Sequence, residues 1–127
     1  MTYIVKRAAK HINKTEWHHL IPDNLKNNKV IKSAIKAGYK FDEKLENLIP
    51  LEKFLKKNGN GVHGYAPNYD IQFQQAIQKF EKTHPNYTDK QAKAFIEDIK
   101  LQTLKKIDEN PNVKLNDLNL NLNVNKY

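Results

Sequence analysis

Adjacent histidines in Trp17-His18-His19-Leu20-Ile21-Pro22, an asparagine in Glu46-Asn47-Leu48-Ile49-Pro50-Leu51 and a third histidine in His63-Gly64-Tyr65-Ala66-Pro67-Asn68-Tyr69 are the residues of this chain best suited to chemistry. Neutral imidazole binds borderline divalent metals, and an unperturbed pKa of about 6.5 makes it a usable base near neutral pH. Hydrolysis of a phosphodiester needs both properties: a Lewis acid that holds the phosphate and stabilises the leaving oxygen, and an oriented base that activates water. Successive side chains on a strand point to opposite faces, so His18 and His19 can divide these tasks if the strand is bent or irregular there. Asn47, arriving on a paired strand, can hydrogen-bond the base imidazole or a nearby backbone group and so fix its orientation.

The elements that must position these residues follow from periodicity and punctuation. His18 to Ile21 reads as a short strand stopped by Pro22, and Asn47 to Leu51 as a second apolar strand, to which Leu51 to Lys57 can add a helical turn before the Asn58-Gly59-Asn60-Gly61 loop. Between the strands, Asp23 or Asn24 can cap a helix running to about Ala37 with Gly38 as its stop. Val30, Ile31, Ala34 and Ile35 share one side of that helix, while Lys26, Lys29, Lys32, Lys36 and Lys40 fall on the other, as a solvated face or a track for backbone phosphates. Pro67 suits the first position of a helix whose inner stripe is Tyr69, Phe73, Ile77 and Phe80, ending about Lys82. Thr88 and Gln91 form a capping box for a last helix carrying Ala92, Phe95, Ile99 and Thr103 or Leu104 inward towards Ile107. A short helix over Thr2 to Ile12 is also expected. After Asn110-Pro111-Asn112, Leu118, Leu120, Leu122 and Val124 alternate with asparagines, a period of two that argues for a C-terminal strand or an extended tail. Residues 1–127 thus read as one small, mostly helical α+β domain, with its core over 15–108 and a C-terminal strand or tail over 111–127. His11 and His84 are expected to be structural or solvent-facing, and Trp17 to pack.

At this point the pattern resembles the AHH family within the HNH/endonuclease VII nuclease superfamily, whose members often form C-terminal toxin domains of bacterial polymorphic toxins. The resemblance runs from about Trp17 to Ile107 and rests on His18-His19-Leu20-Ile21-Pro22, on Ala37-Gly38-Tyr39 followed by Glu46-Asn47-Leu48-Ile49-Pro50-Leu51, on His63-Gly64, and on Pro67 with Tyr69 at the head of a helix. It implies a ββα-metal (His-Me finger) core, two strands and a helix around one divalent cation such as Mg, Mn, Zn or Ni. It also implies a metal-dependent, non-specific endonuclease that hydrolyses DNA, with RNA as the less expected substrate. By position, His18 would be a metal ligand, His19 the general base, Asn47 its orienting partner, and His63 a second ligand or a phosphate contact. The chain departs from that pattern at Ala66, where a further histidine is expected. Two origins fit: a natural variant that binds metal with fewer ligands or is inactive, and a histidine replaced so that a lethal enzyme can be expressed. The second is favoured here, and either leaves a catalytically impaired chain.

Composition is consistent with such a partner. Twenty-two Lys and Arg against fourteen Asp and Glu give a net charge of +8 and a pI near 9.5, suited to a densely negative partner. AT-rich coding also yields Lys and Asn, so a non-catalytic basic module that binds nucleic acid or an acidic protein is the alternative. Arg7 is the lone arginine, which favours phosphate contacts over bidentate reading of base edges. The absence of cysteine excludes a Cys-based zinc site and a disulfide. No apolar run approaches the roughly 20 residues that span a bilayer, so no membrane insertion is expected. A toxin of this kind would be secreted, act in the target-cell cytoplasm and meet a cognate, acidic immunity protein.

Overall fold

The computed structural model describes residues 15–44, 46–52 and 66–127. The proposed N-terminal helix, His11 and His63 lie outside the described residues. Two strands, β1 (Thr15–His19) and β2 (Leu48–Glu52), pair antiparallel with His18 opposite Ile49 and His19 opposite Leu48. Three helices, α1 (Lys29–Lys36), α2 (Pro67–Thr83) and α3 (Asp89–Glu109), supply most of the remaining structure. The architecture is a small, mostly helical α+β arrangement, and no helix among the described residues is long and apolar enough to cross a membrane.

β1 ends earlier than the sequence suggests because a side chain takes over from the ladder. Leu20 N–H still donates to Asn47 O (2.7 Å), but beyond it Ile21 N–H and C=O both bond the Asn47 amide, and Leu20 and Ile21 turn into the core. The helix between the strands also begins later than expected. Asp23–Leu25 forms a single 3-10 turn, and neither Asp23 nor Asn24 caps α1; Asn28 does, accepting from Val30 N–H at 2.9 Å. The reason lies in competing partners: Asp23 turns towards His19, and Asn24 donates to Asp70 (2.8 Å) in the first turn of α2. The stop is where the sequence places it. Gly38 has φ +107°, which an L-side chain rarely adopts, and Tyr39 N–H closes back on Ala34 C=O at 3.0 Å. Leu51 and Glu52 belong to β2 rather than to a helical turn.

α2 and α3 hold the centre of the core. Pro67 stands at the first turn of α2, where its missing N–H costs nothing, and Tyr69, Phe73, Ala76, Ile77 and Phe80 are buried along one side. The Thr88–Gln91 capping box forms in both directions, and Phe95 of α3 stacks on Phe80 with ring centroids 4.3 Å apart. α1 packs its Val30, Ile31 and Ala34 side against α3.

The C-terminal segment pairs with no strand among the described residues. Its period of two is nevertheless real: Leu118 and Leu120 are buried and Leu122 and Val124 half-buried, while Asn119, Asn121, Asn123 and Asn125 face out. The backbone finds glutamine side chains in place of a neighbouring strand. Gln72 of α2 donates to Leu118 C=O (2.8 Å) and accepts from Leu120 N–H (2.7 Å), and Gln102 of α3 bonds both N–H and C=O of Asn123. A primary amide carries the same donor and acceptor as a peptide group, so each glutamine imitates one rung of a ladder. Tyr127 ends the segment with its ring against Phe80, Phe95 and His84 and its hydroxyl on Asp98.

Candidate metal centre at the hairpin end

The end of the β1–β2 hairpin is fixed by a buried polar knot. Asn47 is fully buried, with its Oδ1 accepting from Ile21 N–H (3.0 Å) and Tyr39 O–H (2.7 Å) and its Nδ2 donating to Ile21 C=O (3.2 Å). Among the described residues the Asn47 amide thus bonds backbone and a tyrosine hydroxyl, and no imidazole. Tyr69 O–H donates to Leu20 C=O at 2.7 Å, tying the first turn of α2 to the same bend. Burial, the main cause, raises the hydroxyl pKa of both tyrosines far above the ordinary range, so both are held as donors.

From this platform the two histidines diverge, as alternation on a strand requires. His18 is 9% exposed, and its ring lies 5.2 Å from that of Tyr69 in the first turn of α2, the helix whose N-cap residue is Ala66. His19 is half-buried and faces the other way, with its ring 5.5 Å from Phe41. Its Nε2 lies 3.2 Å from Asp42 Oδ1 and 3.6 Å from Asp23 Oδ1. The donor atoms of His19, Asp23 and Asp42 all lie within 4.8 Å of one another, and together they could hold a metal ion. One imidazole with two carboxylates is a set that accepts magnesium, manganese or zinc.

Lys26 completes this edge. Its ammonium bonds the second oxygen of Asp42 and lies 5.8 Å from the Phe41 ring centroid. That hydrogen bond, followed by the one from His19, holds the Asp42 carboxyl below the usual carboxylate range, and the same pairing raises Lys26. Asp42 is therefore ionised at neutral pH. It can orient the imidazole or ligate a cation; in the second role Lys26 competes for its charge.

The structure thus brings His18, His19 and Asn47 to one bend but turns the imidazoles to different neighbours, His18 to Tyr69 and His19 to Phe41 and Asp42. Of the lysines, Lys26 belongs to the His19 edge, Lys40 lies 3.9 Å from Glu43, and Lys29, Lys32 and Lys36 stand exposed along α1. Asp23 and Asp42 are candidate ligands that the sequence did not single out. The four-residue step from His19 made Asp23 findable in principle, had it not served as a helix cap in that reading. Asp42, distant in sequence and set in an ordinary turn, gave no local signal. His84 stacks on Phe80 at 4.7 Å, with its Nδ1 near Phe80 C=O and Thr83 Oγ1, in a structural role. Comparison with protein-family models, with curated proteins and with solved structures finds no match to this chain.

Proposed function

We propose that this chain is a metal-dependent endonuclease module, a ββα-metal nuclease that hydrolyses phosphodiester bonds in DNA at the end of the β1–β2 hairpin. The observation that carries the reading is the exposed His19–Asp23–Asp42 edge, built on a hairpin whose bend is tied by Tyr69 to the start of α2. When bound, a divalent cation would supply Lewis-acid polarisation of the phosphate and stabilisation of the leaving oxygen. Among the described residues the donors that fit a cation are His19, Asp23 and Asp42, so the imidazole needed as base is drawn into the ligand set and cleavage is weak. With histidine at position 66, His18 and that second imidazole would hold the cation on the other face and release His19. His19 would then act as base: its Nε2–H rests on Asp42, leaving Nδ1 to take a proton from water. Asn47 keeps the bend, and with it the separation of the two rings, in place. A toxin delivered to a target cell and restrained by an acidic immunity protein is the biological setting that the sequence resemblance suggests.

Nicking of supercoiled plasmid tests the proposal. Ala66→His is expected to cut in Mg²⁺, Mn²⁺, Zn²⁺ or Ni²⁺ well above the unaltered chain, and His19→Ala on that background to abolish cutting. Binding without cleavage by the Ala66→His chain in every metal would favour the non-catalytic basic module instead.

A further inference from the structure

A cleft of about 600 Å³ lies between α1 and the α2–α3 connection, lined by Lys29, Lys32 and Lys36 along one wall and by Pro85 and Tyr87 along the other. We infer that this cleft grips a single nucleic-acid strand, the three lysines tracking its phosphates and the Tyr87 ring stacking on an unpaired base. The inference rests on the nucleic-acid substrate proposed above and adds a second contact, separate from the His19 edge.

Charge sets these three lysines apart from the rest of the stripe. Lys26 is committed to Asp42, and Lys40 to Glu43, whereas Lys29, Lys32 and Lys36 make no ion pair among the described residues. At a rise of 1.5 Å per residue the row spans about 10 Å, enough for consecutive backbone phosphates. Tyr87 is half-buried with its ring 5.2 Å from Phe80, a support that fixes an aromatic wall without enclosing it. Fixed aromatic faces beside a cationic groove are how sequence-tolerant proteins hold single strands. Asp89 also lines the cleft, but its carboxylate accepts from Ser33 Oγ, and three ammonium groups outweigh it. Duplex DNA offers phosphates without an unstacked base, and an acidic polypeptide offers neither spaced phosphates nor a base, so the aromatic wall favours the single strand.

The test is fluorescence anisotropy of labelled oligothymidylate in EDTA, over a salt series, with the same-sequence duplex and polyglutamate as competitors. The unaltered chain is expected to prefer the single strand. Joint Lys29→Gln, Lys32→Gln and Lys36→Gln should make the log–log salt slope shallower by about two. Tyr87→Leu should weaken binding about tenfold while Tyr87→Phe keeps it; circular dichroism checks that each variant is folded. The inference is overturned by an unchanged salt slope in the lysine variant, by equal affinity for the duplex, or by polyglutamate displacing the strand through the same lysines. Because binding is read without metal, loss of nicking by the Ala66→His chain with this binding intact would sink the nuclease reading alone.

Discussion

Around α2 and α3 the chain is stabilised by large buried side chains such as Phe73, Phe80, Phe95 and Ile99, whereas the hairpin end adds a buried polar knot of Asn47, Tyr39 and Tyr69 beneath an open rim of charged groups. The helical half spends its polar groups on closure: glutamines replace a missing strand, and a hydroxyl and a carboxylate pin Tyr127. At the hairpin end the polar groups face outward and remain able to exchange partners, as an imidazole, two carboxylates and a lysine must if they are to meet a cation and a phosphate. Apolar packing and exposed polar groups are thus separated along one chain, joined by Tyr69 and Asn47.

Substitutions that respect this division should have graded effects. Phe80→Ala, which removes the ring shared by Phe95, Tyr87, His84 and Tyr127, is expected to cost about 3–5 kcal/mol in a urea melt. Asn47→Ala strands Ile21 N–H, Ile21 C=O and Tyr39 O–H, and should cost about 2–4 kcal/mol although it removes only a small side chain; a cost as small as an exposed Asn→Ala would refute the knot. Gln72→Ala deletes both bonds to the tail and should cost about 1–2 kcal/mol. Faster amide exchange in that variant should be confined to the tail around Leu120, leaving Ile21 protected. Asp42→Asn is the smallest in stability, under about 1 kcal/mol at neutral pH, because the pair is exposed and screened. Its signature is in pH: with the folded carboxyl depressed below its ordinary 3.8, the pairing stabilises above that value and is lost as pH falls through the folded pKa, so the variant should lack that acid-side loss. A melt series between neutral pH and pH below 3.8 checks the sign.

Much of the helical half was legible in the sequence because its information is local. Pro67 with the Tyr69-Phe73-Ile77-Phe80 stripe, and the Thr88–Gln91 box, each specify a helix from residues within a few positions of one another. Period two in Leu118-Asn119-Leu120 marked an inner and an outer face and left strand and tail both open, because it could not reveal that glutamines 21 or more residues away would supply the partners. The hairpin end was legible in part. Its histidines and Asn47 were singled out by order and spacing, yet the direction of each ring and the arrival of Asp42 depend on how the turn after Gly38 folds back. Asp23 was assigned to a cap because local rules favour caps, and the tertiary contact with His19 took it instead.

Whether the hairpin end is a cation site is decided by Mn²⁺ broadening of histidine-ring NMR signals in the unaltered chain. His19 is predicted to broaden at low metal while His84, stacked in the helical half, stays sharp, and Asp23→Asn with Asp42→Asn should remove the difference. A His19 signal that remains as sharp as that of His84 at saturating Mn²⁺ would contradict a cation site there.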